Sequence, residues 1–165
     1  MEKKTLLILA LVVAGAAGLL WWGNASTSGN VEVSDNLASA LVAGEDKYDF
    51  GTISMADGNA EKIFSITNPT NEDIVVKRIV TSCMCTTAYL NTAQGEKGPF
   101  GMPGHGGAGA AISEIIKPGE NREIKVVYDP NAHGPAGIGR IERYVDVTES
   151  SGATLRLQIN AMVKP

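Results

Sequence analysis

Two cysteines supply the most reactive side chains of this sequence. Cys83 and Cys85 are the only cysteines of the chain and are separated by one residue. In a fully extended strand their Cα atoms would lie about 6.7 Å apart, with both thiols on the same face. A disulfide prefers a Cα separation of about 5.5 to 6 Å, so a bridge between them requires a bent backbone. Because a strained bridge is easily reduced, the pair predicts a redox-active site.

The same two thiols also predict a soft-metal site. Met102 and His105 lie in a Gly-rich segment that is flexible enough to reach them, and His133 is a further candidate. Cysteine, methionine and histidine together favour Cu(I), and then Zn(II). The sequence therefore offers Cys83, Cys85, Met102 and His105 as metal ligands, with copper as the candidate cofactor.

A third interpretation treats the two cysteines as small apolar side chains that pack at a strand end. No motif of a known catalytic class accompanies them: the chain has no Gly-x-Ser-x-Gly, no His-Glu-x-x-His and no phosphate-binding Gly-x-x-x-x-Gly-Lys-Ser/Thr. Both histidines lie in predicted loops, which gives a Ser-His-Asp triad no support. We therefore expect a protein that is not an enzyme, without a catalytic or organic-cofactor site.

The N-terminus carries an export signal. Residues 5–22 are uncharged and end on Trp21 and Trp22, after Lys3 and Lys4. At 1.5 Å per residue, a helix of this length reaches roughly 27 Å and spans the apolar core of a bilayer. The lysines favour a cytoplasmic N-terminus. We interpret residues 1–23 as a signal anchor or a cleavable signal peptide, and both place the rest of the chain in the periplasm or at the cell surface.

Charge excludes one class of partner. The formal net charge is −4, with 14 basic and 18 acidic side chains. Nucleic acid binding needs clustered Lys and Arg, and the sequence has no such cluster. The expected partners are the membrane, through residues 5–22, and a protein of unknown identity.

Alternating apolar residues predict an all-β domain. The clearest run is residues 155–163, in which every second side chain is apolar and those between are polar. About seven such strands, separated by turn signals, indicate an immunoglobulin-like β-sandwich. We assign residues 24–45 to a polar tether and residues 46–165 to this domain. Residues 91–111 contain seven glycines, break the alternation and predict a long loop.

Five segments, in order, resemble one family: Tyr48–Ile53, Phe64–Asn68, Ile79–Thr87, Lys117–Glu120 and Val126–Pro130. The chain is similar to domain of unknown function 1573 over residues 46–163. The most specific segment is Thr81–Thr86, where Met84 replaces the glycine of the family's usual Ser-Cys-Gly-Cys-Thr. The resemblance implies an immunoglobulin-like sandwich, related to the Hydin and major-sperm-protein domains, in an exported bacterial protein. It implies no activity.

Together these observations predict an extracytoplasmic, membrane-tethered binding or structural module. Its sheet edges and residues 91–111 are the expected contact surfaces, because an exposed strand edge pairs with another strand and a long loop presents side chains. Copper binding and thiol redox chemistry are the alternatives.

Overall fold

A computed structural model describes residues 38–105 and 111–165. In these ranges the chain forms two five-stranded sheets. The strands are β1 (Val42–Ala43), β2 (Lys47–Ser54), β3 (Ala60–Thr67), β4 (Ile74–Thr81), β5 (Thr86–Thr92), β6 (Gly95–Phe100), β7 (Ala111–Ile116), β8 (Asn121–Tyr128), β9 (Gly139–Glu149) and β10 (Thr154–Lys164). Short 3-10 turns occupy Met55–Asp57 and Gly134–Gly137. The prediction of an all-β sandwich is confirmed, with ten strands in the described ranges where about seven were expected.

Strand alternation builds the core between the two sheets. One sheet has the order β1-β3-β8-β5-β6 and the other β2-β10-β9-β4-β7. Leu157, Ile159, Ala161 and Val163 of β10 are buried, as the period of two predicts. β10 pairs with β9 antiparallel and with β2 parallel. The alternating apolar side chains therefore face the opposite sheet, and the polar ones face outward.

Residues 38–45, assigned above to the tether, pack on the sandwich. The Leu41 side chain is only 1% exposed, and β1 pairs with the end of β3. The buried Glu149 carboxylate accepts hydrogen bonds from the backbone N–H groups of Ala40, at 2.9 Å, and Leu41, at 3.1 Å. A buried carboxylate needs such donors, and this segment supplies them.

The predicted long loop at residues 91–111 is wrong in its first half. Residues 95–100 form β6, which pairs antiparallel with β5. Alternation missed this strand because β6 lies at a sheet edge, where glycine and proline are tolerated. Gly98 is required there: its φ is +138°, and a Cβ atom would lie 2.9 Å from the Ala88 carbonyl oxygen.

The predicted helix at residues 5–22 lies outside the described residues. Within residues 38–105 and 111–165, no helix has the length and apolar character needed to cross a membrane.

Two connections cross between the sheets at one end of the sandwich. Residues 82–85 join β4 to β5, and residues 129–138 join β8 to β9. The strand register brings these connections together, because Thr86 pairs with Tyr128 and Thr81 pairs with Val145. The fold therefore places the cysteines beside the loop that carries His133.

Candidate functional site

The two cysteines lie in a turn, not in an extended strand end. The chain bends here because it leaves one sheet for the other, and the Thr86 N–H donates to the Cys83 carbonyl at 3.1 Å. The Thr81 hydroxyl donates to the same carbonyl at 3.0 Å, and the Asp129 N–H donates to the Cys85 carbonyl at 2.8 Å. The backbone is therefore not extended between the two cysteines, and the bend that a disulfide requires is present.

The turn brings the two sulfur atoms within 2.7 Å of each other, with the Cys85 thiol donating to Cys83. No disulfide joins the two sulfurs in this structure. Cys83 is partly exposed, whereas Cys85 is only 2% exposed. The Cys83 thiol is thus partly accessible to solvent, and the Cys85 thiol is buried.

His133 contacts the exposed thiol. Its Nε2 lies 3.1 Å from Cys83 Sγ. The loop is held by local hydrogen bonds: the Asn131 N–H donates to the Asp129 carboxylate at 2.8 Å, and the Gly134 N–H donates to the Asn131 carbonyl at 2.9 Å. Gly134 has a φ of +54°, a backbone conformation that glycine adopts without strain.

Arg143 contacts the buried thiol and was missed by the sequence analysis. Its Nε donates to Cys85 Sγ at 3.2 Å. Arg143 belongs to β9 and lies two residues from each of the buried residues Ile141 and Val145. Because side chains two residues apart in a strand share a face, Arg143 points towards the core side of the sheet. A charged residue at an inward position of a strand was the signal available in the sequence.

These contacts shift the two thiol pKa values in opposite directions. Burial raises the pKa of Cys83, but the side chain and backbone N–H of Cys85, His133 and the charge of Arg143 outweigh it and lower the pKa to about 7. Burial raises the pKa of Cys85, and its hydrogen bond to Cys83 raises it further, beyond the opposing effect of Arg143. Cys83 is therefore the thiol that ionises near neutral pH.

We predict that the two thiols differ in their pH dependence. With reduced protein and iodoacetamide, the alkylation rate of Cys83 should rise with pH along a curve with its midpoint near pH 7, because the thiolate is the nucleophile. Cys85 should react more slowly and titrate above pH 9. Peptide mass spectrometry assigns each site. His133→Ala, which removes one hydrogen bond to Cys83, should move its midpoint upward; equal curves for both thiols in the wild type would contradict the assignment.

The structure groups Cys83 and Cys85 with His133, whose candidate metal-binding atoms all lie within 4.8 Å of one another. His105 is not a member of this group. Met102 and His105 lie in a turn after β6, where the His105 N–H donates to the Met102 carbonyl at 3.2 Å. Within the described residues, neither side chain forms a hydrogen bond to the two sulfurs. The metal role of Cys83, Cys85, Met102 and His105 stays a prediction.

Residues 41–101 match the family model described as "Protein of unknown function (DUF1573)", and this match confirms the resemblance. The matched segment extends from the residue before β1 to the first residue after β6 and includes both cysteines. His133 and Arg143 lie beyond it. No curated protein matches the chain.

The chain is similar to several solved structures. A protein of unknown function from Porphyromonas gingivalis W83 is 14% identical, with a TM-score of 0.54, and the alignment covers 81% of this chain but only 51% of that one. The VesB protease of Vibrio cholerae is 10% identical with a TM-score of 0.49, covering 75% and 32%. The ASH/PapD-like domain 7 of human CEP192 is 13% identical with a TM-score of 0.47, covering 77% and 87%. The chain thus spans about half of the first of these, and that likeness concerns the fold alone.

Proposed function

We propose, for a chain whose residues 41–101 belong to the DUF1573 family, an extracytoplasmic immunoglobulin-like binding module whose Cys83 and Cys85 interconvert between dithiol and disulfide. The observation that carries the proposal is the 2.7 Å separation of two sulfurs on a bent turn, one partly exposed and one buried. Only a small side-chain movement separates this arrangement from a bond.

The unequal environments assign a role to each thiol. The Cys83 thiolate attacks one sulfur of a partner disulfide, forming a mixed disulfide and releasing the partner's other sulfur as a thiolate. Cys85 then loses its proton and attacks Cys83 Sγ, forming the Cys83–Cys85 disulfide and releasing the second partner thiolate. The two protein sulfurs lose two electrons, the partner disulfide gains them, and the proton released by Cys85 passes to a departing thiolate or to water. This exchange is stoichiometric, so the module need not be an enzyme.

The export proposed from the N-terminal sequence is compatible with this chemistry. The apolar residues 5–22 after Lys3 and Lys4 are the basis for placing the domain outside the cytoplasm, in the periplasm or at the cell surface, held by the same segment as a membrane anchor. Disulfides form and persist in such oxidising compartments, whereas cytoplasmic thiols are kept reduced. A thiol pair that cycles therefore suits the proposed location, and its protein partner is still to be identified.

The test is a redox titration. The full chain, purified in detergent, would be equilibrated in mixtures of reduced and oxidised glutathione, a couple mild enough to leave an easily reduced bridge intact, and then alkylated. We expect Cys83 and Cys85 to become protected together, with a mass lower by two hydrogen atoms and no dimer. The Cys85→Ser chain is the control, since it has no second thiol to close the bridge. If both thiols stay open to alkylation in the most oxidising mixture, the proposal is wrong.

A soft-metal site is the second candidate, favoured by the three donors Cys83, Cys85 and His133. Two thiolates bound to one tetrahedral zinc at about 2.3 Å lie about 3.7 Å apart, so the sulfurs would have to separate by about 1 Å. Stoichiometric Cu(I) binding that survives His105→Ala but not His133→Ala would support this set. Loss of binding in His105→Ala alone would support the ligands expected from the sequence.

A further inference from the structure

An open pocket of about 280 Å³ adjoins the thiol pair. His133 and Arg143, which contact the two sulfurs, both line it. Ile138, Arg140 and Ile141 line it as well. A pocket of this size, smaller than a typical drug site, suits a small molecule. Neither cysteine lines the pocket itself, so a ligand held there would reach Cys83 by extending past His133, which contacts the Cys83 sulfur.

The pocket is positively charged although the chain as a whole is acidic. Arg140 is exposed and has no ion-pair or side-chain hydrogen-bond partner among the described residues. Arg143 donates to Cys85 Sγ and, at 2.8 Å, to the Glu142 carbonyl, and within the same ranges it has no carboxylate partner. By contrast, Arg122 and Arg156 each pair with acidic side chains. No acidic residue of the described chain lines the pocket.

We propose that this pocket binds the carboxylate of a small anionic disulfide and presents its sulfur to Cys83. The inference rests on the proposed thiol exchange and names its substrate class. Arginine is suited to carboxylates because its planar donors match the two oxygens. The carboxylate would sit against Arg140 and the free donors of Arg143, and the short apolar stem would lie along Ile138.

The reaction follows from that placement. The Cys83 thiolate attacks the nearer sulfur of the bound disulfide, the bond between the two ligand sulfurs breaks, and one thiol acid leaves as its thiolate. Cys85 then displaces the second thiol acid from Cys83 and closes the protein disulfide. The two electrons lost by the protein thiols reduce the ligand disulfide to two thiol acids, so no further oxidant is needed.

The test compares three disulfides of similar length on the reduced full chain: dithiodipropionate, which is a dianion, the neutral bis(2-hydroxyethyl) disulfide, and the dication cystamine. The rate constant for each disulfide is divided by the rate constant of a free model thiol with the same disulfide, which removes differences in intrinsic reactivity among the three disulfides. At low salt we expect a normalised rate for the dianion about tenfold above the neutral compound, and a lower one for the dication. The preference should shrink in 0.5 M salt because surface charge is screened.

Two variants with the same charge change locate the effect. Arg140→Gln removes a pocket charge without touching either sulfur, and it should reduce the preference for the dianion to about threefold or less. Lys117→Gln, in the turn before β8 at the opposite end of the sandwich, should leave the preference unchanged. Equal normalised rates for all three disulfides would overturn the pocket inference and leave the thiol exchange standing. No reaction with any of them would overturn both.

Discussion

Replacing Cys83 with serine is expected to slow the reaction of the reduced chain with a small disulfide at neutral pH by at least about 30-fold. The remaining thiol, Cys85, is 2% exposed and has a raised pKa, so very little of it is an accessible thiolate. Cys85→Ser should still be attacked at Cys83 but should stop at the mixed disulfide, because no second thiol displaces the ligand. Stopped-flow rates and intact mass measure both results.

The two substitutions serve as controls for each other, since each replaces one sulfur with oxygen in the same turn. Their thermal unfolding midpoints should be compared with that of the reduced wild type, so that a loss of reactivity can be distinguished from a loss of folding. If Cys83→Ser reacts as fast as the wild type, or if Cys85→Ser forms no mixed disulfide, the assignment of attacking and resolving thiols is wrong.

Phe64→Ala should lower the free energy of unfolding by about 3 to 5 kcal/mol. Phe64 is 1% exposed, lies in the middle of β3 and pairs with Ile124 of β8, so its removal leaves a cavity between the sheets. Single domains are stable by only about 5 to 15 kcal/mol, so the loss is a large part of the total. Denaturant unfolding of the reduced chain measures it.

The neighbouring Ile63 provides the matched control. It lies in the same strand but is 52% exposed, because successive side chains of a strand point to opposite faces. Ile63→Ala should cost less than about 1 kcal/mol. Comparable losses for both substitutions would contradict the burial pattern of β3 and the register that depends on it.

The sequence pattern predicted those strands of the sandwich in which apolar and polar side chains alternate. β10 was evident because its buried residues recur at every second position over the length of the strand. β6 was not evident, because an edge strand is held by backbone hydrogen bonds to one neighbour and needs no alternation. Leu41 was assigned to the tether for a similar reason: residues 37–43, Leu-Ala-Ser-Ala-Leu-Val-Ala, are mostly apolar and do not alternate with polar residues.

The site was predicted only in part. The spacing of Cys83 and Cys85 identified the reactive pair, since two thiols with one intervening residue are close in any backbone conformation. It did not identify their neighbours. His133 was only a further candidate beside His105, and Arg143, 58 residues from Cys85, was not considered. Contacts over such distances depend on which strands pair across the fold, whereas local periodicity identifies only the face of the strand on which a side chain lies.

The sequence alone determined the all-β class, the resemblance of residues 46–163 to the DUF1573 family and the identity of the two thiols, because these depend on local periodicity, short sequence motifs and residue type. Only the tertiary structure decided that the cysteines lie in a bend between two sheets, with His133 on one sulfur and Arg143 on the other. The reason is topological: β4–β5 and β8–β9 cross the sandwich at the same end. Which thiol is exposed, and what charge surrounds it, follows from that crossing.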